Sequence, residues 1–143
     1  MKYLLLVSHG GFSEGLKNTL SMFAGDSIDS VIAVGLKKDE SADDFGKRFQ
    51  KLLNTYPEDS EFIVLADIIG GSPLTTVCNI LNSKDKLNDS MVLGGMNFPM
   101  ALTTLMSKDS MDINTLKETV LSEANKAMKE FKIQSDESSD DEI

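Results

Sequence analysis

The chain has 143 residues, 23 of them acidic and 14 basic, for a net charge of −9; at about 150 residues per domain that is one domain with one core. The acidic balance and a single arginine, Arg48, exclude a binder of nucleic-acid backbone. One histidine, His9, and one cysteine, Cys78, exclude a disulfide within the chain and a zinc site built from about four such ligands.

Residues 3–7 (YLLLV) are apolar at every position, the pattern of a strand covered on both faces. Ser8-His9-Gly10-Gly11 breaks the run, and Phe12, Leu16, Leu20 and Phe23 then recur at helical spacing up to Gly25, a C-terminal cap. Residues 31–34 form a second short strand. Ser41, with Asp43 and Asp44 in the following turn, opens a helix whose stripe is Phe45, Phe49, Leu52 and Leu53, and Pro57 marks its exit. The third strand, 62–66, ends at Asp67. After Gly70-Gly71, Ser72-Pro73 predicts an N-cap followed by proline at the first helical position, with Leu74, Val77, Cys78 and Leu81 as the stripe. Cys78 is expected as a small core residue.

Residues 91–93 make a fourth strand closed by Gly94-Gly95, and Pro99 begins a helix carrying Leu102, Leu105 and Met106. A last helix is predicted over 113–132, with Leu116, Val120, Ala124, Met128 and Phe131 on one face and Thr115 to Glu118 as a capping box. Residues 134–143 (QSDESSDDEI) hold five acids and no base, leaving the other 133 residues at a net −4. Such a segment cannot bury enough surface to order itself and is expected as a solvated acidic tail, its Ser135, Ser138 and Ser139 permitting modification without indicating it.

Strands alternating with helices define an α/β fold: an open, mainly parallel four-stranded sheet in the order 2-1-3-4 with helices on both faces, over residues 1–133. Two open sheet edges and eight methionines point to oligomerisation. There is no apolar run of about 20 residues, and the apolar start is too short for a signal peptide, so a cytoplasmic protein is expected.

In open α/β sheets ligands bind beyond the carboxyl ends of the strands, where strand order reverses. Here the reversal lies between strands one and three, which end in His9-Gly10 and in Asp67 with the Gly70-Gly71-Ser72-Pro73 turn. A carboxylate accepting from His9 Nδ1–H would fix the tautomer and leave the Nε2 lone pair outward, making His9 a nucleophile or a base. The glycines and the following helix N-terminus suit an anion, with the Ser72 hydroxyl and the backbone N–H groups of Ser72, Leu74 and Thr75 as donors. A Walker A loop is absent, and Ser72 is in no G-x-S-x-G elbow. A receiver-type domain phosphorylated on Asp67 stays open as the alternative on these residues, although Ser8-His9 stands where a magnesium-holding acidic pair would be needed.

Three segments together, VSHGGFSEGL (7–16), ADIIGGSPLTT (66–76) and GGMNFPMAL (94–102), resemble the mannose-family enzyme IIA components of the bacterial phosphoenolpyruvate:sugar phosphotransferase system. The resemblance covers residues 1–131. It implies a phosphoryl carrier in which His9 accepts phosphate from the phosphocarrier HPr and passes it to an enzyme IIB component during sugar uptake, without metal or cofactor. It further implies that Asp67 partners His9 and that Ser72 lies at the phosphate. On the residues themselves, Gly10, Gly70, Gly71, Leu74 and Thr75 are expected with Ser72 around the phosphate, and Phe12 with Asn97, Phe98 and Pro99 at the end of strand four as a rim facing partner proteins. The resemblance also implies a homodimer with an exchanged strand and contact with the membrane only through the transporter components. Many members of that family continue into a IIB domain, whereas an acidic segment follows here, so a IIB component on a separate chain is expected. The phosphotransferase subunit of dihydroxyacetone kinase shares the fold and the histidine but lacks a GGSP-like loop.

Overall fold

The computed structural model describes residues 1–133; the acidic segment 134–143 lies outside the described residues. Four strands, β1 (Lys2–His9), β2 (Val31–Leu36), β3 (Glu61–Ala66) and β4 (Val92–Leu93), form one sheet in the order β2-β1-β3-β4, every pair parallel. This is the order expected from the sequence. Between them run the helices α1 (Phe12–Ala24), α2 (Ala42–Leu53), α3 (Ser72–Ser83), α4 (Phe98–Ser107) and α5 (Ile113–Lys126). A short 3-10 helix, Gly25–Ser30, links α1 to β2, and Gly25 makes the turn with φ +57°.

The uninterrupted apolar run of β1 is explained by burial on both faces. Leu4 and Leu6 point into one core with Leu16 and Leu20 of α1, Ala101 and Leu105 of α4, and Leu116, Val120 and Ala124 of α5. Tyr3, Leu5 and Val7 point into the other, with Phe45, Phe49 and Leu53 of α2 and Leu74, Val77 and Leu81 of α3. Each fully buried Leu or Phe stabilises the fold by about 1.5–3 kcal/mol, so the central strand carries a large share of the driving force. Cys78 is half-buried against the second core, and burial raises its thiol pKa above the ordinary value.

Four expectations are corrected. The last helix stops at Lys126, and Met128 and Phe131 are 68% and 74% exposed. Its partner α4 is only ten residues long, and by Ala124 the pair has reached Asn97, the cap of α4, so no surface remains for a further turn to cover. The N-cap of α5 is Asp112, whose Oδ1 accepts from Thr115 N–H at 2.8 Å; Thr115 is the capped residue, not the first member of a capping box. In α3 the N-cap is Gly71, which places Ser72 and Pro73 at the first two helical positions. In the helical stripes, Phe12, Phe23 and Met106 are exposed, because each lies near an end of its helix, beyond the reach of the sheet. Among the described residues the sheet contains no antiparallel strand.

Candidate functional site

His9 is the last residue of the central strand β1, and Asp67 follows directly on its neighbour β3, with Val7 and Ala66 paired in register. The register makes the two side chains meet. His9 Nδ1 lies 2.9 Å from Asp67 Oδ2, and the His9 backbone N–H donates to the same oxygen, also at 2.9 Å. The other carboxylate oxygen, Oδ1, accepts from Ile68 N–H at 2.8 Å. Partial burial alone would raise the Asp67 pKa and is the largest single influence on it. The donors from His9 and Ile68 together outweigh burial and hold the carboxyl below its ordinary value. An ionised Asp67 accepting from Nδ1 selects the tautomer of neutral His9 in which Nε2 carries the lone pair. The ring is 47% exposed, so His9 stands on an open surface.

The chain leaves β1 through Gly10, at φ +58°, a conformation only glycine takes without strain. Two hydroxyls fix this turn. Ser8 Oγ accepts from Ser13 N–H at 2.8 Å, supplying the cap that Gly11, the N-cap of α1, cannot; Ser13 Oγ donates to Val34 O at 2.9 Å. Both serines are fully buried. Neither was singled out in the sequence, where the available signal was a serine on each side of a glycine pair.

On the opposite side of the ring is the β3–α3 turn. A Cβ placed on Gly71 would stand 2.8 Å from His9 Cε1 and 3.4 Å from Nε2, so the open edge of the imidazole lies over the glycine that caps α3. Gly70 takes φ +91° to bring Gly71 there. Among the described residues the N–H groups of Gly70, Gly71, Ser72 and Leu74 have no acceptor, and Pro73 has no N–H to give. Thr75 differs from its expected part: its N–H already donates to Gly71 O at 3.1 Å as the first bond of the helix. Ser72 is exposed beside the unpaired groups. The amino end of α3, where these N–H groups are found, therefore lies beside the Cε1–Nε2 edge of His9.

The four residues expected at the rim lie in different settings. Asn97 is spent on structure: its Oδ1 caps α4 by accepting from Met100 N–H at 2.8 Å, and its Nδ2 faces Ala124 O at 3.5 Å. Phe98 and Pro99 are half-buried, and the Phe98 ring packs on Phe23 with centroids 5.1 Å apart. Phe12 is exposed at the start of α1, and two residues the sequence did not flag, Ile68 and Ile69, present apolar side chains on the turn after Asp67. Ile69 crosses Gly94 so closely that a Cβ there would fall 2.4 Å from its Cγ1. No group of three or more His, Cys, Asp or Glu able to hold a metal occurs among the described residues, and no described helix is long and apolar enough to cross a membrane.

The structure is thus a parallel α/β sheet with a solvent-exposed histidine–aspartate pair where its strand order reverses. Comparison with known proteins makes the class specific. The family described as "PTS system fructose IIA component" (EIIA-man) matches residues 3–121, and the chain belongs to this mannose-type family of phosphotransferase-system enzyme IIA components. It is 25% identical over 113 residues to the PTS fructose-specific EIIA component of Bacillus subtilis, covering 79% of this chain and 75% of that one. To the mannose-specific EIIAB component of Escherichia coli K12 it is 26% identical over 106 residues, 74% of this chain but only 32% of that longer protein. The fold also matches the mannose/sorbose-specific IIA subunit from Enterococcus faecalis with a TM-score of 0.77 at 20% identity, over 94% of this chain and 98% of that one. Membership implies a part in phosphoryl transfer coupled to sugar uptake.

Proposed function

We propose that this chain is a phosphoryl carrier that accepts phosphate on His9 Nε2 from phospho-HPr and passes it to an enzyme IIB component. The observation that carries the proposal is the 2.9 Å contact between His9 Nδ1 and Asp67 Oδ2, with the Cε1–Nε2 edge of the ring beside Gly71, the cap of α3. In the forward step the Nε2 lone pair forms a bond to phosphorus as the donor's bond to phosphorus breaks and that electron pair returns to the donor. The imidazolium character that develops on the ring is offset by Asp67 through Nδ1–H. Gly70, Gly71, Ser72 and Leu74 donate to the phosphoryl oxygens, each charge-assisted bond contributing about 1.5–3 kcal/mol. Gly10 and the Ser8–Ser13 pair hold the histidine still while partners change.

Asp67 repels the same phosphate that the helix end attracts. The site is thereby tuned to hold phosphate without trapping it, as reversible relay requires. Both oxygens of Asp67 are already engaged by donors, which favours a partner's role for it over that of a receiver-type acceptor. Half-exposure of His9, with Phe12, Ile68 and Ile69 exposed on the segments that follow His9 and Asp67, suits protein partners rather than a small substrate enclosed in a pocket. The reading extends to a cytoplasmic homodimer that meets the membrane only through the transporter components, and to residues 1–133 as the carrier domain.

The test is labelling from phosphoenolpyruvate through enzyme I and HPr. The wild-type chain takes up one phosphate that acid removes and alkali does not, and His9→Ala takes up none; full labelling of His9→Ala would overturn the proposal.

A further inference from the structure

The one arginine of the chain is not at the site, yet it is bound to the floor beneath it. Arg48, on α2, donates from Nη2 to Gly35 O at 2.7 Å and to Glu40 Oε1 at 2.8 Å, and from Nε to Glu40 Oε2 at 3.0 Å. Glu40 Oε1 also accepts Lys37 N–H at 3.0 Å, closing the β2–α2 loop. The Arg48 hydrogen bond first, and the Lys37 N–H second, hold Glu40 well below the usual carboxylate range, at about 2. The guanidinium lies 5.3 Å from the centre of the Phe45 ring, so packing also fixes its orientation.

What this cluster grips is the end of β2, an edge strand with β1 on one side only. Three consecutive carbonyls there are each taken by a different element: Val34 O by Ser13 Oγ, Gly35 O by Arg48, and Leu36 O by Gly10 N–H at 2.7 Å. Gly35 is pressed against the histidine turn, since a Cβ on it would stand 2.0 Å from Gly10 O. Any displacement of Gly35 is therefore passed to the peptide next to His9.

We infer that Arg48, Glu40 and Gly35 are positioning residues for the phosphoryl acceptor, setting the height of the Gly10 peptide and hence the aim of His9 at Asp67 and α3. This inference rests on the relay proposed above. Freeing Gly35 O from Arg48 lets the edge strand and the Gly10 turn move together, and an error of about 1 Å at a reacting group can cost up to about a hundredfold in rate.

The experiment compares wild type with Arg48→Met, which keeps the packing over Phe45 but loses the donors, and with Arg48→Lys; Gly35→Ala is a second variant whose added Cβ acts on the turn directly. Two readouts are taken below the melting temperature. The first is transfer from phospho-HPr, resolved into rate at saturating donor and donor KM. The second is the ring ¹⁵N spectrum of the unphosphorylated protein, which one histidine makes unambiguous. Arg48→Met is expected to transfer about tenfold more slowly with donor KM within about twofold of wild type, and to convert the Nδ1–H form of His9 into a mixture of tautomers. Arg48→Lys is expected to restore part of both. A purely structural arginine would leave rate and ring spectrum as in wild type, and that result, or a change in one readout without the other, overturns the inference. Failure of the wild type itself to be labelled would instead refute the relay, while the ring spectrum would still decide whether Arg48 positions His9.

Discussion

The two ends of the sheet use their polar groups in opposite ways. At the amino end, Lys108 is buried and its Nζ donates to Lys2 O at 2.8 Å and Asp109 Oδ2 at 3.0 Å, while Lys86 Nζ donates to the carbonyls of Ser60 and Glu58. Charged groups there are consumed in closing the backbone; Ser60 Oγ is a buried hydroxyl without a partner among the described residues. At the carboxyl end the N–H groups at the start of α3 and the Nε2 of His9 have no partner among the described residues, and the His9 ring is open to the surface. On the proposed function, phosphoryl transfer uses the end where hydrogen-bonding capacity is preserved, and the other end contributes stability.

Breaking the carboxyl end should therefore cost transfer, and breaking the amino end should cost stability. After the complete loss expected of His9→Ala, the largest effect is expected from Asp67→Ala, which slows labelling about a hundredfold or more, measured by single-turnover transfer, because His9 loses both its tautomer and its counter-charge. At the amino end, Lys108→Ala leaves Lys2 O unpaired and is expected to lower stability by about 1–3 kcal/mol in urea unfolding, with transfer per folded molecule unchanged. Gly71→Ala puts a methyl group against His9 Cε1 and is expected to slow transfer about tenfold at nearly constant stability, an outcome that would sharpen the contrast. Asn97→Ala removes the cap of α4 and should cost about 1 kcal/mol.

Acid provides a separate check on Asp67. Its pKa is lower in the folded chain than its ordinary value, so the stability it contributes is complete above the ordinary carboxylate range and is lost as pH falls through the folded value. The stability difference between wild type and Asp67→Ala should be present at neutral pH and close progressively below the ordinary carboxylate range, measured by unfolding across pH. A difference that widened on acidification would contradict the hydrogen bonding assigned to this carboxylate.

Strand order, the two-sided burial of β1 and the meeting of His9 with Asp67 were legible because each follows from a local pattern and one topological rule. A run of apolar residues needs cover on both faces, and the reversal of strand order fixes which strand ends are neighbours. Where the sequence misled, two local patterns competed and tertiary packing chose. Asp112-x-x-Thr115 and Thr115-x-x-Glu118 are both acceptable helix starts, and the helix began at the one that lets α5 run back along α4. Its end was set by the length of that partner, which no periodicity in residues 127–132 could reveal. Ser8, Ser13, Gly35 and Arg48 were invisible for another reason: their roles are contacts between residues distant in sequence, and a serine or arginine carries no pattern that says which carbonyl it will meet.

The central claim is that phosphate is carried on Nε2 of His9 while Nδ1 is held by Asp67. It is tested most directly by ¹⁵N and ³¹P NMR of the chain phosphorylated through HPr and labelled at its one histidine. A phosphorus coupled to Nε2, with the Nδ1 proton still hydrogen-bonded, is the result expected. Phosphorus on Nδ1, or an alkali-labile phosphate on a carboxylate with the imidazole unmodified, would contradict the account.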